Sequence, residues 1–116
     1  VRDLPAAAQA ANWQRTELYF GLRISGGGEV SEEAWRAFVG SEICPRFPSG
    51  FTLFEAIGNW RSPTGELTAE PSRVLVILHS EGERDGIAIE AIRAAYKSTF
   101  HQGSVLRTDA PAKVSF

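Results

Sequence analysis

Few side chains in this sequence could do chemistry, and their types narrow what that chemistry is. His79 and His101 are its two histidines and Cys44 its one cysteine. Two histidines with no third ligand at metal-binding spacing do not compose a zinc site, so no metal is expected and each histidine reads as a structural or solvated group. Cys44 ends a helix-like segment just before Pro45. A thiolate gains nothing from the helix dipole there, and a buried, inert thiol is expected. Gly26, Gly27 and Gly28 are not followed by the motif of a phosphate loop; they read as a flexible connector, and no cofactor is expected.

What remains is a set of carboxylate, phenol and guanidinium groups. Glu17 and Tyr19 share one face of a strand-like segment, and Arg73 and Arg107 stand at compatible parity in two others. Gathered beside apolar side chains, they would suit a small acidic or aromatic ligand. The plainer alternative is an ion pair at an interface. Trp60 and Arg61, next to a turn, read either as a stacking clamp or as packing plus a solvated charge. In an enzyme, Tyr19, Glu17 or His79 would be the acid or base.

Positioning these groups takes strands and helices, and the apolar pattern supplies both. In Thr16 to Ile24, Leu18, Phe20, Leu22 and Ile24 alternate with Glu17, Tyr19, Gly21 and Arg23, the pattern of a half-buried strand. Ser31 followed by Glu32 and Glu33 is an N-terminal helix signal, and Trp35, Phe38, Val39 and Ile43 form one apolar stripe before Pro45. Phe51 to Arg61 and Leu67 to His79, joined across Ser62 to Glu66, predict a long hairpin that Pro71 would make irregular. Ile89, Ile92, Tyr96 and Phe100 predict a second helix over 83–101, stopped near Gly103. Ser104 to Thr108 and Ala112 to Phe116 are short strand-like pieces split at Asp109-Ala110-Pro111.

The order strand, helix, strand, strand, helix, strand predicts an α+β ferredoxin-like βαββαβ sandwich: a four-stranded antiparallel sheet with two helices on one face. Its usual strand order makes the first and third strands the central pair. A chain of 116 residues, 43% hydrophobic and 22% charged, can bury such a core as one domain without disulfides or metal. We place that domain at residues 15–116, after a flexible lead-in over 1–14. A net charge of −2 argues against nucleic acid as a partner, and no run of about 18 apolar residues marks a transmembrane segment. Pro5 to Ala11 resembles the small-residue stretch that follows a removed export signal. A periplasmic or secreted location is therefore expected, with a cytoplasmic one as the alternative.

The third strand contains five consecutive apolar residues, Val74 to Leu78, so both of its faces need cover. The expected arrangement sets Val74, Val76 and Leu78 under the helices and leaves Leu75 and Ile77 on the open face. Leaving Leu75, Ile77 and Tyr19 in water would forgo roughly 1.5–3 kcal/mol per large side chain, against a net stability of about 5–15 kcal/mol. A homodimer packed face to face is the expected cover.

Several word-like blocks add a resemblance. Arg15 to Gly21, Pro45 to Pro48, Gly58 to Arg61, Glu70 to Leu78 and Ile92 to Lys97 resemble, in order, the bacterial family called domain of unknown function 3574. The resemblance implies a small single-domain protein, often exported, with no established activity. The chain departs from the family pattern at Asn59, where Gln is expected, and at Gly103, where Glu is expected, so a polar site using those groups would be altered here. The function expected is a non-catalytic binding or assembly module that dimerises through its open sheet face. The alternative is a cofactor-independent enzyme of the dimeric αβ-barrel type, acting on a small aromatic or acidic substrate.

Overall fold

The computed structural model describes residues 11–116. Strand β1 spans Ala11–Gly21 and helix α1 Glu32–Phe38, continued by a π-helical turn over Val39–Ile43. Strands β2, Thr52–Arg61, and β3, Leu67–Ser80, form the hairpin; helix α2, Glu83–Phe100, and strand β4, Leu106–Val114, complete the chain. All strand pairs are antiparallel, in the order β2-β3-β1-β4. With both helices on one side, this is the ferredoxin-like sandwich. β1 starts inside the stretch assigned to the lead-in; residues 1–10 of that stretch lie outside the described residues.

Both prolines in strands are accommodated by where they fall. Pro111 pairs with Gln14 inside a continuous β4 rather than splitting it, because β4 is an edge strand whose outward side needs no donor. Pro71 pairs with Ile57 without interrupting the hairpin. A residue's N and C=O point to the same side of an antiparallel strand, and Pro71 turns its carbonyl toward the β1 side, where Leu22 N donates to it at 3.0 Å. The missing donor therefore falls where β1 has already ended.

Each helix is set by its ends and its buried stripe. Ser31 Oγ accepts from Ala34 N at 3.0 Å, as a capping hydroxyl should. The ladder widens after Phe38, with Cys44 N bonding Val39 O at 2.9 Å, and this wider turn brings Ile43 into the core ahead of Pro45. Cys44 itself is exposed, not buried as expected. The α1 stripe meets Phe20 of β1 and Tyr96 of α2 in an aromatic cluster: the Phe20 ring centroid lies 4.7 Å from Tyr96 and 5.2 Å from Trp35. α2 ends on His101, which takes the left-handed conformation at φ 53°.

The face assignment of β3 is opposite to the expected one. Leu75 and Ile77 are 0% exposed in the core, whereas Leu78, on the open face, is 43% exposed. Register is the cause. Leu18 stands directly opposite Leu75 and Thr16 opposite Ile77, so the parity that buries Leu18, Phe20 and Leu22 of β1 also turns Leu75 and Ile77 to the helices. Val74, Val76 and Leu78 belong to the open face instead. Among the described residues, no helix is long and apolar enough to cross a membrane.

Candidate functional site

The open face has a polar centre between two concavities. At the centre Glu17 gathers three donors: Tyr19 Oη at 2.6 Å, Arg15 Nε at 3.0 Å and Thr108 Oγ1 at 3.2 Å. The Tyr19 hydroxyl does most to hold the Glu17 carboxyl below its ordinary range, with Arg15 next. The same bond pushes the Tyr19 phenol up, so Tyr19 is a hydrogen-bond donor at neutral pH rather than a base.

The larger concavity, about 550 Å³, opens where β1 ends and the hairpin continues alone. β1 contributes Tyr19 and Gly21, the hairpin Asn59, Trp60, Glu70 and Ser72, and the α2–β4 connection Gln102 and Gly103. Glu70 is held from below, where Arg23 N donates to its Oε2 at 3.1 Å. Its carboxylate lies directly over Gly21, close enough that a Cβ there would come within 2.9 Å of it. Among the described residues Glu70 forms no ion pair. Tyr96 ties this floor to the core by donating to Gly21 O at 2.6 Å; burial pushes its phenol up. Gln102 closes the rim by donating to Arg23 O at 2.5 Å. The smaller concavity, about 370 Å³, lies at the opposite end of the face, among Trp13, Arg15, Phe54, Leu78 and Phe116.

Of the residues singled out from sequence, Glu17, Tyr19 and Trp60 share the open face. Leu75 and Ile77 are core residues, and three of the charged candidates also sit on the helix side. Arg73 pairs with Glu32 of α1 at 2.8 Å. Arg107 pairs with Glu90 of α2 at 2.7 Å and with Asp109 at 3.0 Å. His79 is buried with Thr16: its Nε2 lies 2.7 Å from Thr16 Oγ1, which donates its one proton to Asp109 Oδ1 at 2.7 Å. His79 Nδ1 lies 3.0 Å from Ser80 O and 3.8 Å from the Asp85 carboxylate. Arg61 points to its own turn and donates to Gly65 O at 2.8 Å.

The sequence reading missed Glu70, Ser72 and Gln102. Glu70-Pro71-Ser72 has the composition of a turn, which hid two inward-facing polar strand residues. A signal was nonetheless present, since Asn59 and Gly103, the two departures from the resembled pattern, both line this cleft.

Fold and cleft together define a small ferredoxin-like protein with a ligand-sized concavity at one end of its open sheet. The chain belongs to the family described as protein of unknown function (DUF3574), whose model matches residues 15–116. No curated protein is significantly similar to it in sequence. Among solved structures it is similar to a phage SAM lyase in complex with S-methyl-5'-thioadenosine, at a TM-score of 0.63 and 15% identity over 90% of each chain. The same lyase in its apo state gives 0.62 and 14%, again over 90% of each chain. This likeness is one of fold. It contradicts the expected non-catalytic module dimerising through its open face, because the shared architecture carries an enzyme.

Proposed function

We propose that the protein is an enzyme acting on a sulfonium nucleoside, bound in the cleft above Gly21. What carries the reading is Glu70, a carboxylate with no cationic partner among the described residues, in a cleft that Tyr19 and Trp60 also line. The rings supply stacking surface for a purine, and the Ser72 hydroxyl with the Asn59 and Gln102 amides supplies hydrogen bonds for base and ribose. Glu70 faces the sulfonium charge. When a nucleophile forms its bond to the carbon, the C–S electron pair departs with sulfur as a neutral thioether, so the departing group needs no acid. The fold shared with a SAM lyase supports this choice of substrate class. Self-association into a homo-oligomer belongs to the same proposal, supported by the exposed Ile57 and Leu67 of the hairpin, and is checked by light scattering.

The test is calorimetric titration with SAM and with S-methyl-5'-thioadenosine, followed by mass spectrometry of the products from SAM. Both ligands are expected to bind, and Glu70→Gln to weaken the cationic one by roughly tenfold or more while changing the neutral one by less than about threefold. Absence of binding to either ligand by the folded protein, or equal weakening of both by Glu70→Gln, overturns the reading.

A further inference from the structure

The smaller concavity, at the far end of the open face, has a composition of its own. Trp13, Phe54 and Phe116 surround it, with Leu78 beneath, and Arg15 is its charged residue. Trp13 and Phe116 meet edge to face at 6.4 Å, which fixes one wall. Phe54 and Phe116 remain about half exposed, at 52% and 48%, so this wall is not packed against the rest of the described chain. Arg15 stands opposite Leu78 in the ladder. Its Nε is engaged by Glu17 Oε2 at 3.0 Å. Among the described residues, no carboxylate other than Glu17 pairs with this guanidinium.

That engagement has a directional consequence. A guanidinium anchored through Nε presents its two terminal nitrogens as a paired donor edge, the geometry that receives a carboxylate in two parallel bonds. Glu17 meets Arg15 through Nε alone, its other oxygen being taken by Tyr19 and Thr108, which leaves the terminal nitrogens clear of it. A cavity of about 370 Å³ falls in the range of small-molecule sites, which combine apolar walls with a few fixed polar groups.

We infer that this concavity is a second binding site, separate from the Glu70 cleft, and that it takes an aromatic carboxylate, with the ring among Trp13, Phe54 and Phe116 and the carboxylate on the terminal nitrogens of Arg15. The two ends of the open face thereby select opposite charges, through the Glu70 carboxylate at one end and a guanidinium edge at the other.

The inference is independent of the proposed reaction and is tested with naphthalene-2-carboxylate and its neutral counterpart 2-naphthylmethanol, titrated calorimetrically into the full chain. The acid is expected to bind more tightly than the alcohol. Arg15→Gln should weaken the acid by roughly tenfold or more and leave the alcohol within about threefold, and Phe54→Ala should weaken both. Titration of S-methyl-5'-thioadenosine into Arg15→Gln serves as the control for an intact fold and Glu70 cleft, and circular dichroism serves where that ligand does not bind the parent protein. Equal affinity for acid and alcohol, or an Arg15→Gln protein that binds the acid as the parent does, overturns the inference. So does a parent protein that binds neither probe and dissociates from dimer to monomer on Phe54→Ser, because the occupant of the concavity is then a second copy of the chain.

Discussion

The two faces of one sheet are built from alternate residues of the same strands, yet they solve opposite problems. On the helix side the three charged or titratable candidates are answered: Arg73 by Glu32, Arg107 by Glu90 and Asp109, and His79 by Thr16 and Ser80. No buried side-chain nitrogen or oxygen among the described residues lacks a partner. On the open side large apolar groups stay in water, and Glu70 has no cation among the described residues. A face closed to water must satisfy its polar groups internally; a face meant to receive a ligand keeps some of that capacity unspent. The comparison separates residues that hold the protein together from residues that wait for something.

The comparison breaks most sharply between two leucines of one strand. Leu75→Ala should cost about 2–5 kcal/mol of stability as a core cavity, and Leu78→Ala less than about 1 kcal/mol, because Leu78 is already 43% exposed. Paired urea denaturation curves measure both, and comparable losses would undo the face assignment. Next in size is Thr16→Val, which fills the same space but takes the hydroxyl from between His79 and Asp109. About 1–3 kcal/mol is expected, the cost of buried groups left unpaired.

Acid should erode the helix-side network in a definite window. Burial pushes the Asp109 carboxyl up, but the Thr16 hydroxyl and the Arg107 guanidinium outweigh it and leave the group below its ordinary value. Its contribution is then fully present above the unfolded carboxylate value of about 3.9 and fades as pH falls through the lower, folded value. The stability gap between the parent protein and Asp109→Asn should therefore narrow as denaturation is repeated from about pH 6 down to pH 3. A gap that widens on acidification would reverse the assigned direction. The smallest effect on stability, and the most telling for the open face, is that of Gly21→Ala. The new Cβ meets only the far end of a flexible side chain, the Glu70 carboxylate. Stability should change by less than about 1 kcal/mol, while affinity for SAM falls as it does in Glu70→Gln.

Element order, the cap of α1 and the sandwich itself were legible because each rests on local chemistry: Ser31 ahead of two glutamates, and a stripe at Ile89, Ile92 and Tyr96. The side of β3 that faces the helices was not, since Val74 to Leu78 is apolar at every position and carries no alternation to read. Only pairing with β1, whose alternation is clear, decides it. Glu70 was hidden for a related reason. Proline beside serine has the local signature of a turn, and it takes the position of Pro71, beyond the end of β1, to show that a strand tolerates it. Arg73, Arg107 and His79 were legible as charged or titratable groups, but their partners come from other elements and are fixed by register.

The hairpin continues past the sheet. Gly21 pairs with Ser72, and from Pro71 to Leu67 strand β3 has only β2 beside it. Trp60 and Asn59 ride on that two-stranded extension, while Tyr19 and Gly21 are fixed to the core through Tyr96. The cleft thus has one jaw on bedrock and one on a cantilever, and a two-stranded ribbon twists at far less expense than a packed sheet. The width of the cleft is therefore set by the softer of its two walls.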